Sequence, residues 1–327
     1  MEKISTAVTY LILIIFGLTM VIPFIWMLST ALMTQSEFNK QETLFIPKEE
    51  YFVWNNNGDE KRILLVMEKE ETSIVHILDE NLEIIEEYKE VPSSQIEHVY
   101  HKPSFEFSNF VKAFKKVPFA LYFKNTIYVS VLSLIGVLIT SLLAAYAFAR
   151  MEFRGRDFFF FLFLSMMMVP QPIYMISSYV LLDKLNWLDT YNALIIPWTA
   201  NIFTIFLFRQ HFKALPKELF DAASIDGCST FGMLWRIVVP LSKPIIATAS
   251  IFSLISSWNS FMWPLVMINR PELRVLQVGL SYFNQEASTQ TTLLMAASTF
   301  SIVPILILFF FAQKQIIASY ARTGLKD

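Results

Sequence analysis

Charged residues and cysteine are scarce in this chain of 327 residues. Only 17% of its residues are charged and 54% are hydrophobic, whereas a soluble globular domain has about 25% charged residues. The single cysteine, Cys228, excludes an intramolecular disulfide framework and any metal site built from several thiolates. The net charge of −2 gives no indication of a nucleic-acid partner.

The missing charges define six long apolar segments. A helix needs about 20 apolar residues to cross the hydrocarbon core of a membrane, where no water can satisfy its backbone. Charge-free runs that reach or approach this length cover residues 4–36, 125–149, 158–182, 190–208, 244–269 and 287–313. The sequence therefore predicts an all-α membrane protein with six transmembrane helices. The first run is longer than the roughly 7–15 apolar residues of a signal peptide, so we expect it to be retained.

The distribution of Lys and Arg predicts the orientation of these helices. Short cytoplasmic loops of membrane proteins are enriched in both residues. With the N-terminus inside, 12 basic residues fall in cytoplasmic segments and three (Lys184, Arg270 and Arg274) fall in the two short outer loops. We therefore expect a multi-pass protein of the cell membrane with both termini in the cytoplasm.

A hydrophilic stretch outside the membrane separates the first helix from the other five. Residues 1–36 contain the N-terminus and this first helix. Residues 37–124 contain 17 acidic and 11 basic residues. Short runs rich in Ile, Leu and Val, separated by turn-forming residues, indicate a small antiparallel meander over about 51–100. We predict three or four strands in this extracytoplasmic β-rich insertion, followed by a helical core over 125–327.

A second hydrophilic stretch, residues 209–243, lies between the fourth and fifth apolar segments. Pro216 suits the first turn of a helix, and Leu219, Ala222 and Ala223 recur with helical spacing to give an apolar face. Gly227 suits the left-handed residue that ends such a helix. Ser229 or Thr230 would cap a second helix that ends at Val239, before Pro240. This cytoplasmic helix–turn–helix would let a partner protein approach closely.

A protein with six spans could be a secondary transporter, a channel, a membrane enzyme or a subunit of a primary pump, and the residues that the chain lacks limit these choices. None of the six apolar cores contains Asp, Glu, Lys, Arg or His, which argues against a proton relay. The nearest match to a phosphate-binding loop, Gly227 to Gly232, continues with Met233 and Leu234 in place of Lys and Ser or Thr. An ion-coupled carrier stays open, because Na⁺ can be bound by carbonyl and hydroxyl oxygens and Pro170 and Pro172 could break a helix, although the two halves of the chain show no matching interruption. A primary pump would need an ATPase from another chain.

No arrangement of residues indicates an enzyme, a cofactor or a metal. Three of the four histidines, His76, His98 and His101, fall in the outer insertion without a recurring ligand spacing, so surface or strand histidines are expected. Glu218 and Asp221 lie three residues apart on one helix face with no nucleophile beside them. A surface that contacts a partner accounts for them better than catalysis.

The cytoplasmic helix–turn–helix carries a specific resemblance. Asp221-Ala-Ala followed by Gly227, with Ile237-Val-Val-Pro240 and Pro244 downstream, resembles the E-A-A-x3-G loop of binding-protein-dependent ABC importers. Further segments resemble the carbohydrate branch, in particular the smaller permease subunit of maltose-type importers: Ala144 to Arg150, Phe153 to Arg156, Ser257 to Asn259 with Trp263-Pro264, and Gln313 to Lys326. The resemblance covers about residues 4–45 and 104–327.

This resemblance implies a type I permease fold and a set of functional residues. In the family, the loop is a coupling helix that docks on the ATPase subunit, which here implies the residues Glu218, Asp221, Ala222, Ala223, Asp226 and Gly227. The tail residues Gly324, Leu325 and Lys326 would contact the ATPase as well. The implied partners are a second permease subunit, two copies of an ATP-binding cassette subunit and an extracytoplasmic solute-binding protein. The ligand would be a sugar or oligosaccharide.

Several points depart from the family or stay open. Asp221 replaces the usual Glu, Cys228 replaces Ala, the chain ends in Asp327 rather than Gly, and the outer insertion is larger than expected. Trp258, Asn259 and Trp263 are candidate sugar contacts, although helix packing or a position at the membrane interface is the favoured role for the two indoles. The alternatives are a secondary carrier working alone, a permease for a non-sugar solute such as glycerol phosphate, and a sensor that binds a ligand with its outer insertion.

Overall fold

The computed structural model describes residues 2–40, 45–56, 59–67, 72–78, 84–103, 105–284 and 290–323. These residues divide into two compact units, Met1–Lys116 with Phe283–Thr299 (unit 1) and Val117–Tyr282 with Phe300–Asp327 (unit 2). Unit 1 contains α1 (Glu2–Ala31), α2 (Gln35–Lys40), β1 (Lys48–Asn56), β2 (Asp59–Met67), β3 (Thr72–Leu78), β4 (Ile84–Pro92), β5 (Ile96–Pro103) and α3 (Ser108–Lys116).

Unit 2 is helical throughout the part that the structure describes. Its helices are α4 (Phe119–Arg150), α5 (Arg156–Met166), α6 (Gln171–Lys184), α7 (Tyr191–Ile195), α8 (Ile202–Ala214), α9 (Glu218–Ile225), α10 (Thr230–Met233), α11 (Val239–Leu241), α12 (Lys243–Trp258), α13 (Met262–Met267) and α14 (Leu276–Ser281). The final helix, α15 (Thr291–Thr323), begins in unit 1 and continues in unit 2.

Four of the described helical segments are long and apolar enough to cross a membrane: Val8–Ala31, Phe119–Arg150, Tyr191–Ala214 and Thr291–Phe311. Two further segments are bent pairs of helices, Arg156–Met166 with Gln171–Lys184 at 101° and Thr230–Leu241 with Lys243–Trp258 at 82°. The count rises to six if each bent pair is one span. The prediction of several apolar helices is confirmed, and six spans stays a prediction.

The segments that precede β1 and follow β5 are both hydrogen-bonded to the end of α1. The Ser29 hydroxyl donates to the carbonyl oxygen of Phe45 at 2.7 Å, and the Glu106 N–H donates to the carbonyl oxygen of Leu32 at 2.8 Å. The buried Asn109 amide donates to the carbonyl oxygens of Ala31 and Met33, which a helix end leaves without partners. The chain therefore leaves and rejoins the same helix end.

The sheet of unit 1 is antiparallel with the order β4-β3-β2-β1-β5. Its five described strands exceed the three or four predicted, because β1 and β5 extend to Lys48 and Pro103 and pair with each other. The apolar face packs around five buried residues, Trp54, Ile63, Val75, Ile77 and Val91. We call strands β1–β5, residues Lys48–Pro103, the sheet module.

The core of unit 2 lies where α4, α8 and α12 meet. Large buried side chains there include Tyr146, Phe208, Phe212 and Leu234. Gly136 of α4 permits a close approach, because a Cβ atom at this position would overlap the side chain of Thr199. The chain that follows Trp198 can therefore lie directly against α4 at this point.

The third apolar segment breaks between α5 and α6, at the point where Pro170 and Pro172 predict a break. Proline cannot donate the backbone hydrogen bond that a continuous helix requires. Beyond α6, the Asp189 carboxylate accepts hydrogen bonds from the N–H groups of Asn269 and Arg270 and so joins two loops. Burial alone raises the pKa of Asp189, but these hydrogen bonds and the Arg270 charge together lower it.

Candidate functional site

Helix α9 displays most of the predicted coupling residues on the surface. Ala223 is buried at 8% exposure, and Phe220 beside it is half-buried. By contrast, Glu218, Asp221, Ala222, Asp226 and Gly227 are all exposed. The predicted apolar face is therefore divided, because Ala223 faces the protein whereas Leu219 and Ala222 do not. Pro216 precedes the helix by two residues rather than lying in its first turn.

Gly227 ends α9 as the sequence predicts, with a left-handed φ of 71°. The Cys228 N–H donates to the carbonyl oxygen of Ala223 at 2.9 Å, and the Gly227 N–H donates to that of Ser224 at 3.1 Å. These are the two hydrogen bonds of a Schellman motif. A Cβ atom at Gly227 would meet no atom within 4 Å, so the backbone conformation alone requires glycine here.

The helix after this turn begins as predicted but continues further. Ser229 caps it, since its hydroxyl oxygen accepts from the Gly232 N–H at 3.1 Å. The predicted end before Pro240 is wrong: a π-helical turn over Leu234–Val238 leads into α11, which includes Pro240. Pro240 lies at one of the first two positions of α11, where its missing N–H is not needed.

Arg150, the last residue of α4, fixes the chain that leads into α9. Its Nη2 atom donates to the carbonyl oxygens of Phe212 at 2.5 Å and Leu215 at 2.6 Å, and its Nε atom donates to Phe212 at 3.0 Å. Its guanidinium also lies 4.1 Å from the ring centroid of Phe220 in α9. We call these contacts the Arg150 clamp; they tie the end of α4 to the end of α8 and to α9.

Arg209 forms a second connection between helix ends in this part of unit 2. This buried side chain forms an ion pair with Asp157 of α5 at 3.0 Å and donates to the carbonyl oxygen of Phe148 at 3.2 Å. Its guanidinium lies 3.8 Å from the ring centroid of Phe160. A buried arginine with both an ion pair and a carbonyl partner holds its neighbours in one geometry. The ends of α4, α5 and α8 are thereby fixed together.

The exposed side of the α9 region is apolar as well as acidic. Ile225 is 87% exposed, Phe231 is 62% exposed and Leu219 is 40% exposed. With Ala222 and Asp221 these residues form what we call the α9 patch. Sequence reasoning selected the acidic and small residues and gave Ile225 no role of its own. Its place three residues after Ala222 was the signal that could have identified it.

A separate polar cavity of about 390 Å³ lies inside unit 2. Its walls come from α4, α12, α13, the start of α6 and the segment around Trp198. The polar residues in the walls are Thr126, Ser133, Gln171, Asn201, Ser253, Ser256, Ser257, Asn259 and Ser260. This volume lies within the usual range of small-molecule sites.

The three predicted sugar contacts occupy different places. Asn259 and Trp263 line the cavity, whereas Trp258 lies in a separate apolar cleft with Pro304. The Trp263 indole N–H donates to the carbonyl oxygen of Ala193 at 2.9 Å, and that of Trp258 to Ser301 at 3.1 Å. Both buried indoles thus have the hydrogen-bond partner that helix packing requires. Trp198, which lines the cavity edge-on to Trp263 at 5.2 Å, was not predicted.

The remaining predicted features give little further chemistry. Among the described residues, no group of three or more His, Cys, Asp and Glu side chains could hold a metal ion. His76 accepts from the Tyr88 N–H at 3.1 Å within the sheet. The side chains of His98 and His101, and the tail residues Gly324, Leu325 and Lys326, lie outside the described residues.

Comparison with known proteins gives concordant matches. The protein family described as "Binding-protein-dependent transport system inner membrane component" matches residues 121–322. The arabinooligosaccharides transport system permease protein AraQ of Halalkalibacterium halodurans is 35% identical over 229 residues, which are 70% of this chain and 82% of AraQ. The sn-glycerol-3-phosphate transport system permease protein UgpE of Yersinia enterocolitica is 32% identical over 189 residues, 57% of this chain and 67% of UgpE.

A solved structure resembles the whole chain. A bacterial ABC transporter involved in the import of the acidic polysaccharide alginate superposes with a TM-score of 0.69, covers 96% of both chains and is 22% identical. At this identity the likeness shows the fold.

Proposed function

Because the chain belongs to the family of inner membrane components of binding-protein-dependent transport systems, we propose that it forms half of the pathway of an ATP-driven sugar importer. It would be the non-catalytic permease subunit of that importer. Sugar transport relatives such as AraQ support a sugar or oligosaccharide as the substrate. Six membrane spans with both termini in the cytoplasm complete the proposed arrangement, in keeping with the Lys and Arg of the short loops.

The proposed partners follow from this role. A second permease subunit forms the other half of the pathway, two ATPase subunits supply energy, and an extracytoplasmic binding protein delivers the sugar. The α9 patch carries the proposal, because it exposes Ile225 and Phe231 beside acidic side chains. An exposed apolar patch with a polar surround is typical of a protein interface. The Arg150 clamp connects this patch to the end of α4 through the ring of Phe220.

The thiol of Cys228 tests the proposal. It is partly exposed and directly follows the turn at Gly227. We expect a membrane-permeant maleimide to label it in whole cells and an impermeant maleimide to fail. In inverted vesicles stripped of peripheral proteins, adding back the ATPase fraction should slow labelling at least fivefold, because the bound subunit covers the turn. A Cys228→Ser variant gives the background signal.

Two results would contradict the proposal. Rapid labelling by the impermeant reagent outside whole cells would place the loop on the wrong side of the membrane. Labelling that is unchanged by an ATPase fraction shown to rebind would remove the α9 patch from the interface. A secondary carrier predicts this second result, because it works without an ATPase.

We propose that the sheet module contacts the binding protein. Edge strand β4 exposes Ile85 and Tyr88, at 67% and 66%, together with Glu87 and Glu90. Apolar side chains among carboxylates suit a partner with a basic rim, and opposite charge mainly raises the rate of association. The competing explanation is that these carboxylates merely protect the sheet edge from pairing with other strands. The sequence places three more glutamates near this strand: Glu86 forms an ion pair with Lys89 at 2.9 Å, and Glu80 and Glu83 lie outside the described residues.

Removal of the module separates the two explanations. Tyr51 pairs with Val99, so a short Gly/Ser linker can replace residues 51–100 without moving the flanking chain. We expect assembly with the ATPase to persist and the affinity for the binding protein to fall about tenfold. Glu87→Gln with Glu90→Gln should lower the association rate at low salt, whereas Glu97→Gln on the opposite edge strand should not. Unchanged docking in all of these variants would show that the charges only protect the edge.

A further inference from the structure

The cavity of unit 2 is polar but uncharged. Its polar walls consist of hydroxyl and amide groups, and none of the described residues that line it is Asp, Glu, Lys, Arg or His. Two tryptophans, Trp198 and Trp263, and several aliphatic side chains form the rest. A cavity with this lining can hydrogen-bond a ligand, but it cannot neutralise a charge.

One buried hydroxyl group in this cavity lacks a partner. Ser133 of α4 is 3% exposed, it lines the cavity, and its Oγ atom has no hydrogen-bond partner among the described residues. A buried polar group without a partner is destabilising, and such groups in native structures commonly serve a ligand or ordered water. The cavity therefore contains a hydrogen-bonding group that is ready for an occupant.

Other polar groups face the same space from two further elements. Ser253, Ser256 and Ser257 line it from α12 at positions i, i+3 and i+4, which lie on one face of a helix. Gln171 lines it from the first residue of α6, directly after the break in the third apolar segment. Hydroxyl and amide groups both donate and accept, so they match alcohol groups in either role.

We propose that this cavity binds an uncharged polyhydroxylated ligand, so that the importer carries a neutral saccharide and not a phosphorylated or acidic one. The inference rests on the proposed transport function and narrows its substrate. Ser133, Gln171 and the serines of α12 supply hydrogen bonds, and Trp198 supplies an apolar ring surface for the sugar C–H groups.

The physical reason is the cost of moving a charge away from water. A phosphate or carboxylate without a counter-charge loses far more solvation than hydroxyl groups can return. Neutral hydroxyl groups exchange hydrogen bonds with water for hydrogen bonds with protein at little net cost. This chain therefore differs in substrate charge from relatives named for sn-glycerol-3-phosphate.

The first experiment tests the cavity with two matched serines. Ser130 and Ser133 lie one turn apart on α4, and each has a buried hydroxyl without a partner, but Ser130 lines the apolar cleft beside Trp258. In the complete importer reconstituted in proteoliposomes, the probe is whichever neutral arabino-, malto- or xylo-oligosaccharide accumulates, and we expect Ser133→Ala to raise the half-saturating concentration for its uptake roughly fivefold. Ser130→Ala should leave it unchanged. Equal effects of both variants would overturn the assignment of the cavity.

The second experiment tests the charge of the ligand. The same proteoliposomes receive their binding protein, ATP and two pools of probes, and the contents are identified by mass spectrometry. One pool contains neutral arabino-, malto- and xylo-oligosaccharides; the other contains sn-glycerol 3-phosphate and alginate oligosaccharides. We expect ATP-dependent accumulation from the neutral pool, with anionic probes below about one hundredth of that amount.

Each outcome has one meaning. Accumulation of an anionic probe, or of no neutral probe while ATP is hydrolysed, overturns the inference and leaves an ATP-driven permease in place. Uptake that does not depend on ATP, together with Cys228 labelling that the ATPase fraction does not slow, contradicts the proposed function itself.

Discussion

Gly227→Val is expected to weaken association with the ATPase subunit roughly 5- to 30-fold and to abolish sugar uptake. Gly227 has a φ of 71°, and a left-handed conformation costs a residue with a Cβ atom about 1–2 kcal/mol, which corresponds to the stated range of affinity. The loss comes from the turn itself, since a new side chain would meet no atom within 4 Å. The measurement is co-purification of the ATPase, combined with uptake in cells.

Three companion variants separate the effect of the turn from that of the surface beside it. Gly227→Asn should retain most activity, because asparagine tolerates the left-handed region. Asp221→Lys reverses an exposed charge in the α9 patch and should abolish docking, whereas Asp221→Glu should preserve it. All four variants should insert into the membrane normally. Normal uptake by both Gly227→Val and Asp221→Lys would end the assignment of a coupling helix.

Arg150→Met is expected to uncouple ATP hydrolysis from transport while the complex still assembles. The substitution removes three hydrogen bonds to the carbonyl oxygens of Phe212 and Leu215 and the stacking on Phe220. Hydrogen bonds that involve a charged group contribute about 1.5–3 kcal/mol each, so α9 should no longer move with α4. We expect at least a tenfold fall in sugar transported per ATP hydrolysed.

Two further arginine variants, one at Arg154 and one at Arg150 itself, provide the controls for this prediction. Arg154→Met removes an exposed charge outside the clamp and should leave the transport ratio unchanged. Arg150→Lys keeps the charge but not the planar geometry that reaches two carbonyl groups at once, so an intermediate ratio is expected. A wild-type ratio in Arg150→Met would show that the clamp has no part in coupling.

Short-range signals account for what the sequence predicted about the α9 region. A helix end at Gly227 and a cap at Ser229 each depend on residues within one turn, so the local pattern contains the necessary information. Pro240 was misjudged, because the rule that a helix ends before proline assumes an α-helix, whereas a π-helical turn precedes it.

Long-range contacts explain what the sequence could not predict. Arg150 donates hydrogen bonds to Phe212 and Leu215, which lie 62 and 65 residues further along the sequence. The residues that line the cavity come from several helices. No local periodicity encodes such contacts. Strands β1 and β5 were underestimated for a similar reason, because each begins or ends in charged residues and is completed by pairing with the other. Trp258 was selected by its residue type, yet its neighbours, and not its type, decide that it lies outside the cavity.

The continuity of α4 makes it a mechanical lever. Ser133 and Arg150 are both part of this unbroken 32-residue helix, and at 1.5 Å per residue they lie roughly 25 Å apart along it. Thr199 presses against Gly136, between these two points, and so provides a fulcrum near the cavity. A tilt of about 10° about this point would displace Arg150 by roughly 4 Å but Ser133 by only about 1 Å in the opposite direction, because Gly136 lies three residues from Ser133 and 14 residues from Arg150. The helix would therefore convert a large displacement at the clamp into a small one at the cavity.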